Sequence, residues 1–156
     1  MYKVKEKMQT DTLIVLVNQL LASAIDCKLS AKQAHWNVRG ENFIALHELF
    51  DKASREIDEY ADLLAERVAQ LGGGAQGTLS AVAGQTSLSP YPAGIQSGRD
   101  HAKALSDAIG ALANSNRQAI ETVTGAGDMV TADILTEITR GLDKLHWFVS
   151  AHVTGQ

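Results

Sequence analysis

The sequence predicts an all-α fold, a four-helix bundle with one long crossover between its second and third helices. Four long stretches repeat apolar residues at the three-four spacing of a helix. Two prolines and few β-branched runs leave little room for a sheet. From Gly74 to Gln96 the chain turns rich in Gly, Ser, Thr and Pro, and a connection of that length implies that the helices on either side run parallel. With 156 residues, 45% apolar and 21% charged, the chain is long and apolar enough for one sizeable core.

Residues 1–10 read as a flexible basic tail, with Lys3, Lys5 and Lys7 against Glu6 on a chain of net charge −4. Such lysines can touch DNA phosphates; lysines at frayed termini are equally commonplace. The two readings stand level. A single domain is expected over residues 11–156. Its first helix, 11–38, opens at Thr10 or Asp11, either of which can cap, and ends before Gly40. Leu13, Leu16, Val17, Leu20, Leu21 and Ala24 keep the helical period. The apolar run Leu13 to Leu21 is short and broken by Asn18 and Gln19, so neither a signal peptide nor a membrane span is expected, and the expected compartment is the cytoplasm. Cys27, the single cysteine, reads as a small buried filler.

The second helix runs from Asn42 to Leu71 and stops at Gly72-Gly73-Gly74. The crossover holds a short helical turn at Leu79 to Ala83. Two more helices follow, Ile95 to Val123 and Val130 to Val153, parted by Gly125 and Gly127. Asp128, Asp133 and Glu137 form an acidic ridge early in the last helix, for which the residues alone favour compensation of the helix dipole. Trp147 and Phe148 are expected in the core.

The second helix carries the chemistry. At about 100° per residue, with His47 at zero, Asp51 falls near ~40°, Asp62 near ~60° and Glu66 near ~100°. The large apolar residues occupy the opposite side, so these four point away from the chain's own core. Asp51 and Asp62 are separated by roughly 16 Å of helix and cannot share a metal within one chain. A second copy lying antiparallel across a two-fold axis removes the obstacle. Such an axis pairs residues whose numbers have a constant sum, and Asp51 with Asp62 and His47 with Glu66 both give 113. Arg55 and Asp58 share that sum and are expected to pair across the same axis. Imidazoles with carboxylates suit iron, manganese or zinc. His35 alone reads as a satisfied core or capping histidine, although it lies near enough in sequence to be a further ligand. No Glu-x-x-His occurs in the chain, in keeping with a site between subunits rather than in the bundle core.

The stretch Lys32-Gln-Ala-His35-Trp36-Asn37-Val-Arg-Gly40, followed by His47-Glu, Asp51, Asp62, Ala65-Glu66-Arg67 and Leu71-Gly72-Gly73, resembles the Dps family of small ferritins. The likeness continues through Ser89-x-Tyr91-Pro92, Asp100-His101 and Thr131-Ala-Asp133 and covers nearly the whole chain beyond residue 10. The resemblance implies a ferritin-like bundle assembled into a hollow dodecamer. It implies a ferroxidase that oxidises Fe(II), preferably with hydrogen peroxide, and stores ferric mineral, protecting the cell and its DNA under oxidative stress. The ligands would be His35, His47 and Asp51 of one subunit with Asp62 and Glu66 of its neighbour. Trp36 would intercept stray oxidising equivalents, and Asp128 and Asp133 would line iron-entry pores. Members that bind DNA commonly carry a longer lysine-rich tail, and a strongly negative assembly repels DNA. A nucleoid DNA-binding protein with secondary iron chemistry is therefore the competing reading.

Overall fold

The computed structural model describes the backbone of residues 2–153 and the side chains of residues 9–153. Five helices follow one another: α1 (Tyr2–Asn37), α2 (Phe43–Gln70), α3 (Leu79–Gln85), α4 (Gly98–Gly125) and α5 (Met129–Ser150). No strand occurs among the described residues, which is the all-α class expected.

Three close approaches define how the helices are arranged. A Cβ on Gly98, at the start of α4, would run into Leu46 Cδ1 near the start of α2, so α2 and α4 begin at the same end of the bundle. Arg39, after α1, donates its amide to Gln96 O at 2.9 Å, which places the end of α1 beside the start of α4. Arg67 near the end of α2 reaches Asp128, the cap of α5, at 2.9 Å. The bundle is thus two antiparallel hairpins, α1–α2 and α4–α5, joined by a crossover that returns along the bundle's length. Leu21, Phe50, Ile57, Leu64, Leu105, Ile109, Leu112, Leu135, Ile138 and Leu142 fill the middle with less than 2% or about 2% of their surface exposed.

The crossover is lashed to α1 by polar residues that interrupt that helix's apolar run. Asn18 donates to Gly74 O (3.2 Å) and accepts from the Gln76 amide (2.9 Å). Ser23 bonds Ser87, and Asp26 accepts from the Thr86 hydroxyl at 2.7 Å. Asn18 and Ser23 are buried, and these bonds satisfy groups that burial would otherwise penalise. α2 ends where Gly72 takes φ +87°, a conformation that costs glycine least, and its successor Gly73 bonds Val68 O.

Three expectations need correction. α1 begins at Tyr2 rather than near Thr10: residues 2–10 contain no Gly or Pro, and Lys, Glu, Met and Gln all favour helix. The side chains of Lys3, Lys5 and Lys7 lie outside the described residues. Gln9–Asn37 is long and apolar enough by composition to cross a membrane, contrary to the sequence reading, although half of that window is buried within the bundle. Trp147 is 67% exposed and Phe148 half-buried, because Leu142, Leu145 and Val149 take the inward stripe of α5 and turn Trp147 away from it. Cys27 is fully buried, as expected.

Candidate metal centre

His35 and His47 meet across the α1–α2 hairpin. Their rings stack with centroids 3.7 Å apart and 23° between planes. His35 Nδ1 lies 2.7 Å from the His47 carbonyl oxygen, and His47 Nδ1 lies 2.8 Å from the His35 carbonyl oxygen. A carbonyl can only accept, so each Nδ1 carries a proton and Nε2 is the nitrogen left to offer a lone pair to a metal. This is the tautomer a metal-ligating imidazole needs, with the second nitrogen anchored to a main-chain carbonyl. Phe43, one turn before His47, leans on its ring at 5.1 Å between centroids.

Asp51 follows one turn after His47 and is partly buried. Lys32 bonds one of its oxygens, and Arg55 lies 3.2 Å from the other. The Lys32 hydrogen bond holds the carboxyl below its usual range; partial burial opposes this, and the Lys32 and Arg55 charges add to it. Asp51 is therefore an anion held in a fixed place. Lys32 lies 19 residues before Asp51 on a different helix, and no local spacing in the sequence links the two.

Asp62 and Glu66 sit on the same side of α2, exposed and away from the core. Asp62 opens onto a groove of about 760 Å³ along α1 and α2, with Leu21, Ile25 and Leu63 on its apolar floor. Among the described residues of a single chain, no three His, Cys, Asp or Glu side chains converge where a metal could sit. His35 and His47 come together; Asp51 stands one turn further along α2 with Lys32 and Arg55 as its partners, and Asp62 and Glu66 stand apart on the same helix.

Other expected residues take different places. Arg55 contacts Asp51, and Asp58 is bonded by Lys28 at 2.8 Å, so within the chain each has a partner other than the one expected across the axis. Trp36 is 67% exposed beside His35. Asp128 caps α5, accepting from the Thr131 amide (3.0 Å) and hydroxyl and from Arg67. Burial raises its carboxyl, but these three bonds and the Arg67 charge outweigh that and leave it lowered. Its oxygens are engaged in holding α2 to α5, whereas Asp133 is exposed.

The ferritin-like domain family model matches residues 14–155. A DNA protection during starvation protein of Agrobacterium fabrum (strain C58) is 49% identical over 142 residues, covering 91% of this chain and 88% of that protein. The fine tangled pili major subunit of Haemophilus ducreyi is 36% identical over 150 residues, covering 90% and 78%. The solved structure of Dps from Microbacterium arborescens in its high iron form superposes with a TM-score of 0.87 at 35% identity, over 94% of this chain and 95% of that one.

Proposed function

The chain belongs to the Dps family of ferritin-like proteins, and we propose on that footing that it is a ferroxidase and iron-storage protein. It oxidises Fe(II), preferably with hydrogen peroxide, and stores ferric mineral inside a cytoplasmic dodecamer of identical chains. The observation that carries this reading is the histidine pair: both Nδ1 atoms tied to carbonyls, both Nε2 atoms left to face a metal, one helical turn from an ionised Asp51.

Fe(II) is the substrate and fits this donor set. Neutral imidazole suits Fe(II), and carboxylates stabilise the ferric charge left when an electron departs. A second copy, antiparallel across a two-fold axis near residues 56 and 57, brings its Asp62 and Glu66 to the His35, His47 and Asp51 of the first. The apolar floor beside Asp62 supplies surface for that contact. Two Fe(II) ions each lose one electron, and one peroxide accepts both with two protons to leave two waters, so no hydroxyl radical is released. Zinc or manganese would find the same ligands acceptable. In this reading Trp36, exposed next to His35, intercepts stray oxidising equivalents.

Anaerobic Fe(II) loading followed by stoichiometric peroxide tests the reading. It predicts fast ferric absorbance with little trapped hydroxyl radical, abolished in Asp62→Asn/Glu66→Gln. Oxidation no faster than that of free iron would overturn it.

A further inference from the structure

Away from the histidine pair, a second cavity lies at the end of the bundle where the α1–α2 loop, the start of α4 and the end of α5 meet. It holds about 390 Å³, within the roughly 300–1,000 Å³ typical of small-ligand pockets. Arg39, Arg99 and His152 line it, with Ser97 and one carboxylate, Glu41.

Among the described residues, the two arginines there have no carboxylate partner. Among lysines and arginines with described side chains, Lys28, Lys32, Lys52, Arg55, Arg67, Lys103 and Arg117 each pair with a carboxylate, and Lys144 lies over the Phe148 ring. Arg39, Arg99 and Arg140 have no such partner, and two of these three line one cavity. On a chain of net charge −4, where carboxylates outnumber cations, two guanidinium groups left unpaired around one concavity are not accounted for by internal pairing.

The backbone adds to the same field. The cavity includes the start of the 28-residue α4, whose first-turn amides have no partners within the helix and carry the positive end of its dipole. Ser97 Oγ takes one of them, the Asp100 amide at 3.1 Å. The Arg39 amide donates to Gln96 O at 2.9 Å, fixing the loop that bears Arg39 against the segment that leads into α4, three residues before Arg99. The two guanidinium-bearing segments are thus held together before any ligand arrives.

We propose that this cavity binds a phosphate group, with Arg39 and Arg99 donating to its oxygens and the His152 ring adding a donor. Guanidinium matches phosphate geometry through paired N–H donors, which a spherical anion would not exploit. The phosphate comes either from free inorganic phosphate or from a DNA backbone; both present the same oxygens. The proposal is independent of the iron-oxidation reading, since it involves none of His35, His47, Asp51, Asp62 or Glu66.

The test is calorimetric titration of inorganic phosphate into the purified full-length assembly, kept iron-free in a phosphate-free buffer. Wild type, Arg39→Gln, Arg99→Gln and the control Lys103→Gln are compared, each checked for size by sedimentation. Wild type and the control bind phosphate, and each arginine variant binds at least about tenfold more weakly at unchanged assembly size. Competition by a DNA duplex identifies the backbone phosphodiester as the source, and its absence identifies free phosphate. Equal binding by all four proteins, or none by wild type, overturns the proposal. Loss of assembly in both arginine variants also overturns it, because the guanidinium groups would then be pairing with another copy of the chain.

Discussion

His35 and His47, on different helices, each donate Nδ1–H to the other's main-chain carbonyl, at 2.7 and 2.8 Å, with their rings stacked between. Each ring thereby fixes the other's tautomer. Replacing one removes a lone pair and also releases its neighbour's packing. His47→Gln should weaken Fe(II) binding by about 10- to 100-fold, the range seen when groups that orient a metal ligand are removed. Anaerobic Fe(II) titration of the intact assembly checks this; unchanged affinity would show that the pair serves packing alone.

Asp128 joins a helix cap to an ion pair whose two side chains are each 13% exposed. Asp128→Ala should lower stability by about 2 kcal/mol or more, from the lost cap and the Arg67 guanidinium left without its partner. Because the folded pKa lies below the ordinary carboxylate value, the contribution is present above it and disappears as pH falls through the lowered pKa. Urea unfolding of wild type and variant should therefore converge in strong acid and diverge near neutral pH.

His101 is buried, with Nδ1 2.7 Å from the Tyr91 hydroxyl. Burial holds its pKa below the ordinary 6.5, against the opposing influence of the Ile95 backbone and the Asp100 charge. The unfolded chain therefore binds a proton before the folded one does. Its contribution is present above about pH 6.5 and is lost as pH falls from there through the lowered folded value. Thermal unfolding between pH 7 and 5 should show a drop in wild type that is shallower in His101→Gln.

Cys27 is fully buried, and that burial, with Asp26 adding to it, pushes its thiol up to about 12. At pH 8 the reactive thiolate is scarce and shielded. Iodoacetamide should label the chain in urea and leave the native assembly unmodified over the same time.

The outward stripe of α2 was legible because a helix's period is rigid: His47, Asp51, Asp62 and Glu66 had to share a side once α2 formed. Helix ends were legible where glycine supplied them, as at Gly72. The start of α1 was not, since Thr10 and Asp11 look like caps but nothing before them resists helix. Trp147 was misread because an aromatic residue suggests burial while its place on the α5 wheel, between inward positions, decides its exposure. Contacts between elements distant in sequence were beyond reach. Neither Tyr91 with His101, nor Lys32 with Asp51, nor Arg67 with Asp128 follows any local period.

The central claim is that each site draws ligands from two chains, and mixed assemblies test it most directly. One variant carries His47→Gln and Asp51→Asn, the other Asp62→Asn and Glu66→Gln. Neither should oxidise Fe(II) rapidly alone. Dissociated, mixed in equal amounts and reassembled, they regain about a quarter of wild-type activity, because half of random two-fold pairs are mixed and each mixed pair holds one complete site. Full inactivity of a reassembled mixture would contradict the account and place the chemistry within a single chain.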